Sequence, residues 1–180
     1  MAITALIVKV PEAEAAVGAL RARFDAVSQL RVPAHITILF PFMPPDRVTP
    51  TVLQRLQVAL DAVPAFAYSL ESVGRFDATA FLAPVPAEPF VLLTASVARQ
   101  FPDFPPYGGQ HDGTIPHLTV AHGDVENSRL AALELEKRLC AGPPIQAECN
   151  AVSLMENSSG RWQDMHVFEL ARPGQPTPRL

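Results

Sequence analysis

Two stretches of this chain, VPAHITILFPF at 32–42 and IPHLTVAH at 115–122, carry one pattern: a proline, then a histidine, an aliphatic residue, a threonine and another aliphatic residue. The histidines, His35 and His117, lie 82 residues apart. A second pair of segments keeps step with them. SLESVGRF begins at Ser69 and SLMENSSGRW at Ser153, 84 residues apart. Self-similarity at a fixed offset means that one structural unit is used twice. Each half then reads as a strand, a His-x-Thr strand, a helix, and a hairpin with Ser-Leu near its start and Gly-Arg-aromatic at its turn. The expected fold is α+β, with two pseudo-symmetric lobes of antiparallel sheet and flanking helices. Strands are not regularly separated by crossover helices, which argues against a doubly wound parallel sheet.

Local signals fill in the units. Residues 2–10 are β-branched and aliphatic and predict a strand. From Pro11 to Asp25 a helix is predicted, with Ala16, Leu20 and Phe24 on one face. HITILF predicts the next strand. Thr49 as N-cap and Pro50 at the first helical position open a helix whose apolar side is Val52, Leu53, Leu56 and Leu60. FAYSLESVGRF and TAFLAPV read as a hairpin, and EPFVLLTASVARQF as a helix with Phe90, Leu93 and Val97 aligned. Residues 102–116 are dense in Pro and Gly and read as a loop. NSRLAALELEKRLCAG reads as a helix capped by Asn127 or Ser128 and stopped by Gly142. IQAECNAVSLME and WQDMHVFEL are expected to pair around the NSSG turn. The whole is read as one bilobal domain over 1–172 and a frayed tail over 173–180.

Strand geometry makes the repeated motif informative. Side chains alternate between faces, so His35 and Thr37 share one face while Ile36, Ile38 and Phe40 share the other. His117 and Thr119 likewise oppose Leu118 and Val120, and the same parity turns His122 away from His117. The aliphatic face is core, whereas the polar face needs a cleft to explain it. A single histidine on a strand is ordinarily a hydrogen-bonded structural residue. In a chain of this composition, about 0.25 His-x-Thr matches arise by chance, so two at equivalent places in a repeat demand a common reason. Two imidazoles across a cleft suit acid–base chemistry at phosphorus. With an ordinary pKa of about 6.5, one can be neutral while the other is protonated near pH 7. Threonine hydroxyls beside them can donate to phosphoryl oxygens.

Composition restricts the rest. Hydrophobic residues make up 48% and charged residues 18%, enough apolar material for a sizeable core. The formal net charge of −4 argues against a protein that tracks long duplex nucleic acid by phosphate neutralisation. Two cysteines, Cys140 and Cys149, form no CxxC and no disulfide framework. The first ten residues lack a basic leader and are too short an apolar run to span a bilayer, so a cytoplasmic chain that engages no membrane is expected, as a monomer.

With both motifs in view, the chain resembles the two-histidine (2H) phosphoesterase superfamily, whose mark is a paired His-x-Thr/Ser motif, and is most similar to its 2′-5′ RNA ligase-like branch. The resemblance runs from the first strand through the last hairpin. It implies a V-shaped groove holding both motifs, with His35, Thr37, His117 and Thr119 as catalytic residues. The activity it implies is cofactor-free, metal-independent opening of 2′,3′-cyclic or 2′-5′ phosphodiesters on nucleotides or RNA ends, with reverse 2′-5′ ligation as a further expectation. Several other residues are candidates for contacting substrate. Tyr107, in PPYGGQ just ahead of the second motif, can stack a base or close the cleft. Arg75 and Arg161 occupy matching places in the repeat and can meet phosphate. Phe42 closes the first motif stretch, and Phe76 and Trp162 stand beside the arginines. His111 and His166 belong to no motif.

Rival chemistries fit less well. A zinc hydrolase needs three converging His, Asp, Glu or Cys ligands, and neither motif is followed by a carboxylate at metal spacing. A histidine-triad hydrolase needs His-x-His-x-His, and no G-x-S-x-G elbow is present for a serine nucleophile. A non-catalytic module that holds a nucleotide or RNA end is the remaining alternative.

Overall fold

The computed structural model describes residues 2–110, 113–172 and 174. His111 and the expected tail, Gly174 apart, lie outside the described residues. Among the described residues, eight strands and four α-helices follow in chain order: β1 (Thr4–Lys9), α1 (Glu14–Phe24), β2 (His35–Leu39), α2 (Pro50–Leu60), β3 (Phe66–Phe76), β4 (Thr79–Val85), α3 (Glu88–Gln100), β5 (Leu118–His122), α4 (Val125–Cys140), β6 (Ile145–Cys149), β7 (Ala151–Glu156) and β8 (Gln163–Glu169). Capping chemistry explains several boundaries. Thr49 sits in extended backbone and its hydroxyl accepts from the Val52 N–H at 3.3 Å, while Pro50 occupies a position with no intrahelical donor to lose. Helix α4 starts earlier than the sequence suggested. Asp124, not Asn127 or Ser128, is the cap, and its carboxylate accepts from the Asn127 N–H at 2.7 Å.

The strands form one sheet in the order β6-β3-β4-β5-β2-β1-β7-β8, every neighbouring pair antiparallel. Only the pair Ile36↔Leu118 joins β2 to β5, and it marks the seam between lobes. On one side stand β2, β1, β7 and β8, with β2 packed by α3, which in turn packs on α2; on the other stand β5, β4, β3 and β6, packed by α1 and α4. The apolar core lies between sheet and helices, where Leu6, Val8, Ile36, Leu82, Phe90 and Leu118 are almost wholly buried. The expected two-lobed α+β architecture is therefore present, and the lobes are interleaved: β1, β2, β7 and β8 come from the two ends of the chain and β3–β6 from its middle, while α1 and α3 each pack on a strand of the other lobe.

Interleaving overturns two details of the reading. The segment 145–156 is not one strand. It breaks at Asn150, so that β6 pairs with β3 at one edge of the sheet while β7 pairs with β1 in the other lobe. The two hairpins are also not equivalent. β3 and β4 fold inward, placing β4 beside β5, whereas β7 and β8 fold outward, leaving β8 on the edge. Gly74 and Arg75 consequently lie inside β3, and only Gly160 and Arg161 lie at a turn. Among the described residues, no helix is long and apolar enough to cross a membrane.

Candidate active site

Both motif strands carry the same irregularity. Leu39 pairs with Leu6 and Thr37 with Ile7, so Ile38 is an extra residue in β2. Ala121 pairs with Ala80 and Thr119 with Phe81, so Val120 is an extra residue in β5. Each bulge falls on the residue after the motif threonine and shifts the alternation by one. Two successive apolar residues then face the core: Ile38 with Leu39, and Val120 with Ala121. The third residue after each threonine is turned to the face that helices leave open. These residues are Phe40, 38% exposed and edge-on to Trp162 at 6.1 Å, and His122, whose Nδ1 lies 2.8 Å from the Thr79 hydroxyl on the neighbouring strand. Strict alternation had put Phe40 in the core and His122 on the far side. The signal that would have revealed both was the adjacent apolar pair after each threonine, which a regular half-buried strand does not have.

The seam sets the geometry of the motifs. With Ile36 opposite Leu118, one further step along an antiparallel ladder puts His35 opposite Thr119 and Thr37 opposite His117. The histidines then occupy one diagonal of a four-residue rectangle and the threonines the other. Diagonal neighbours in such a ladder stand ~7–8 Å apart, a span that one phosphate group can bridge through side chains from both sides.

Each imidazole is oriented in the same way. The His35 Nδ1 lies 2.8 Å from the Pro33 carbonyl, and the His117 Nδ1 lies 2.7 Å from the Ile115 carbonyl. A carbonyl only accepts, so in both rings Nδ1 carries the proton and Nε2 is left to act. Burial pushes the His35 pKa down to about 4; the bond to Pro33 opposes this, Arg21 adds to it, Asp25 opposes it, and His117 lowers it further. Burial also lowers the His117 pKa, opposed by its bond to Ile115 and reinforced by His122. His117 packs against the adjacent rings of Phe76 and Phe81, at 5.5 and 5.3 Å between ring centres, and those two rings lie 4.6 Å from each other. Gly74 makes room for that arrangement, since a β-carbon there would overlap the Phe81 ring.

The remaining candidates divide. Tyr107 comes to the site: its backbone N–H donates to the Phe40 carbonyl at 2.7 Å, and its hydroxyl shares a hydrogen bond with Thr37. Burial raises its pKa, with the Thr37 bond acting against the rise. It adopts φ 52°, a left-handed conformation uncommon for a non-glycine residue. Trp162 packs on Ala5, Ile7, Val32 and Met155 on the same face of the first lobe. Arg161 is exposed in the turn before it. Two candidates lie elsewhere. Phe42 is 2% exposed and packs edge-on against Phe101 and Phe104, so it is core and offers no surface to a substrate. Arg75 pairs with Ala80, which packs on α4, and its charge acts on Glu126 of that helix, on the side away from the histidines. Sequence reasoning did not single out Lys9. It pairs with His35 across the β1–β2 ladder, and its ammonium contacts Asp164 at 2.6 Å. Among the described residues, no three His, Cys, Asp or Glu side chains gather as a metal-binding group.

Comparison with known proteins bears on the family and the fold. The family model described as the 2′-5′ RNA ligase superfamily matches residues 10–161. No curated protein sequence matches the chain. Among solved structures, Escherichia coli LigT complexed with 3′-AMP superposes with a TM-score of 0.61 at 14% identity, covering 94% of this chain and 98% of that one. TT0787 of Thermus thermophilus gives 0.58 at 18% identity, with 95% and 99% covered. Kluyveromyces marxianus Usb1 gives 0.53 at 14%, with 93% and 98% covered. At these identities the structures speak for the fold, and the family match speaks for descent: the chain belongs to the 2′-5′ RNA ligase superfamily.

Proposed function

We propose that this protein is a metal-independent phosphodiesterase that opens 2′,3′-cyclic or 2′-5′ phosphodiesters of nucleotides or RNA ends, using His35 and His117 as its acid–base pair. The observation that carries the reading is the duplicated anchoring of the two imidazoles. Each commits Nδ1–H to the carbonyl two residues before it, and each keeps Nε2 for chemistry. In the proposed reaction one neutral Nε2 takes a proton from water as the water oxygen bonds to phosphorus. The other, protonated, gives its proton to the ribose oxygen as the P–O bond to that oxygen breaks. Thr37 and Thr119 donate to the non-bridging oxygens, where charge builds up. The surroundings suggest a division of labour. His35, with its pKa held down to about 4, stays neutral and serves as the base. His117, approached through the exposed Gly113 and Ile115, takes up the proton that a bound phosphate draws in and serves as the acid.

A nucleotide substrate is supported from two directions. The open face presents aromatic surface on both sides of the histidines: Phe40, Trp162 and Tyr107 on one, Phe76 and Phe81 on the other. E. coli LigT, similar in fold, carries 3′-AMP, NADP+ or ATP in its solved complexes. A chain of net charge −4 suits a short substrate held at a local anion site better than a long duplex.

The deciding experiment is turnover of 2′,3′-cyclic nucleotides and 2′-5′ dinucleotides, with and without EDTA. Hydrolysis indifferent to the chelator is expected. Reversible loss of activity on chelation would defeat the mechanism. Tight nucleotide binding without turnover of any substrate would favour the alternative, a non-catalytic nucleotide or RNA-end binding module.

A further inference from the structure

An imidazole held by one hydrogen bond is placed only as well as the acceptor of that bond. At His35 the acceptor is the Pro33 carbonyl, and the peptide groups on both sides of Pro33 are tied to α1. The Ala34 N–H donates to Glu14 Oε1 at 2.7 Å, and Arg21 Nη2 donates to the Val32 carbonyl at 3.2 Å. The Ala34 carbonyl is also taken, by the Val10 N–H at 2.8 Å. Glu14 and Arg21 are two helical turns apart on α1, so they present to the same side. Between them stands Gly18, where a β-carbon would come 3.1 Å from Glu14 Oε2. Arg21 is itself immobilised. Its Nε and Nη2 reach Asp25 Oδ2 at 3.2 and 3.1 Å, and both residues are buried, at 3% and 5% exposure. A buried ion pair loses hydration that its attraction only partly restores, so it is a weak source of stability and a good source of fixed geometry.

His117 has none of this. Its acceptor belongs to Ile115, which is 59% exposed, and among the described residues no hydrogen bond ties 113–116 to another element. Helix α1 packs on β5, the strand that carries the second motif, while its polar side chains hold the segment leading into the first.

We infer that Glu14 and Arg21 are positioning residues for the reaction: by clamping residues 32–34 they hold the Pro33 carbonyl, which fixes the Nδ1–H tautomer and the orientation of His35, with no counterpart at His117. The kinetic consequence rests on the proposed function, and the tautomer does not.

The test compares Glu14→Ala, Glu14→Gln and Arg21→Lys in the full chain, with Ser96→Ala as a stability control. Ser96 donates to the Ala59 carbonyl, joining α3 to α2, at 2.7 Å and touches neither motif. Nitrogen-15 NMR of the histidine rings reads the tautomer directly. Wild type should show His35 protonated at Nδ1 alone. Glu14→Ala should give a mixture of tautomers at His35 with His117 unchanged, and Glu14→Gln, which keeps an oxygen acceptor, should restore the wild-type pattern. Arg21→Lys keeps the charge beside Asp25 and shortens the reach to Val32; it should move His35 in the same direction as Glu14→Ala, and it decides the matter should Glu14→Ala not fold. On a 2′,3′-cyclic nucleotide, kcat should fall ~10–100-fold in Glu14→Ala with KM nearly unchanged, because a misplaced catalytic group costs on that scale. Ser96→Ala should lose melting temperature without losing kcat. A pure Nδ1–H tautomer at His35 in both Glu14→Ala and Arg21→Lys overturns the inference, whether or not the protein turns over any phosphodiester. So does a kcat loss in Glu14→Ala no larger than that of Ser96→Ala.

Discussion

Around His35 the chain is built from three sides. Lys9 stands opposite it in the ladder, Tyr107 reaches Thr37 from the loop before the second motif, and α1 holds the residues that lead into the strand. Around His117 there are two phenylalanine rings and an exposed approach. Yet the motifs agree in every feature that touches chemistry: the carbonyl two residues back, the threonine two residues on, and the bulge just after it. The repeat keeps what the proposed reaction uses and differs in the supports around it. Two imidazoles with one intrinsic pKa then differ through their surroundings alone.

The strongest challenge to this comparison is to delete each ring. His35→Ala and His117→Ala should each lower turnover of a cyclic phosphodiester ~10²–10⁴-fold, the usual range for a general acid or base. The double variant should lose less than the product of the two, since acid and base act as a unit. Near-full activity in either single variant would break the equivalence of the motifs.

Stability against pH reads the difference next. The unfolded chain protonates His35 near 6.5 and the folded one only near 4. The folded state therefore loses stability as pH falls below 6.5, and the loss levels off below about 4, totalling at most ~3 kcal/mol. Chemical denaturation at pH 7 and pH 4.5 should show this loss in wild type, and His35→Gln should remove more of it than His117→Gln. Equal effects of the two substitutions would mean that burial does not distinguish the sites.

Two smaller effects probe the supports. Gly74→Ala drives a methyl group into the Phe81 ring that faces His117, and overpacking of this kind costs ~1–3 kcal/mol. It should lower the melting temperature and turnover while leaving the His35 ring signals in place. Tyr107→Phe removes the hydroxyl that Thr37 uses and should cost ~0.5–1.5 kcal/mol in kcat/KM, the worth of an ordinary hydrogen bond. A Tyr107→Phe variant with wild-type kinetics would show that Thr37 needs no partner on that side.

What the sequence disclosed follows from which signals are local. The strands, the Thr49 cap with Pro50 behind it, and the two motifs were legible because alternation and capping act over a few residues. The bulges were not, because an extra residue is defined by the partner strand, and the partner is chosen by the whole sheet. The placement of Phe40 in the core and the exclusion of His122 by parity went astray for that one reason. The break at Asn150 was hidden similarly: two apolar runs with one residue between them look like a single strand until each finds its own neighbour. Phe42 looked like a site residue by its place beside the motif, and Arg75 by its place in the repeat. The first is packed between Phe101 and Phe104, and the second was misjudged because the two hairpins fold in opposite directions. The clamp from α1 was invisible as well, since Glu14 and Arg21 meet residues 32–34 only after the helix has docked.

The claim on which the rest depends is that both motifs serve one phosphate. A crystal structure with a nucleoside 2′-monophosphate bound tests it most directly. The expected result is one phosphate group within hydrogen-bond reach of the Nε2 atoms of both His35 and His117, with the Thr37 and Thr119 hydroxyls on its oxygens. A phosphate held by one histidine alone, or bound only away from the open face of the seam between β2 and β5, would contradict the account.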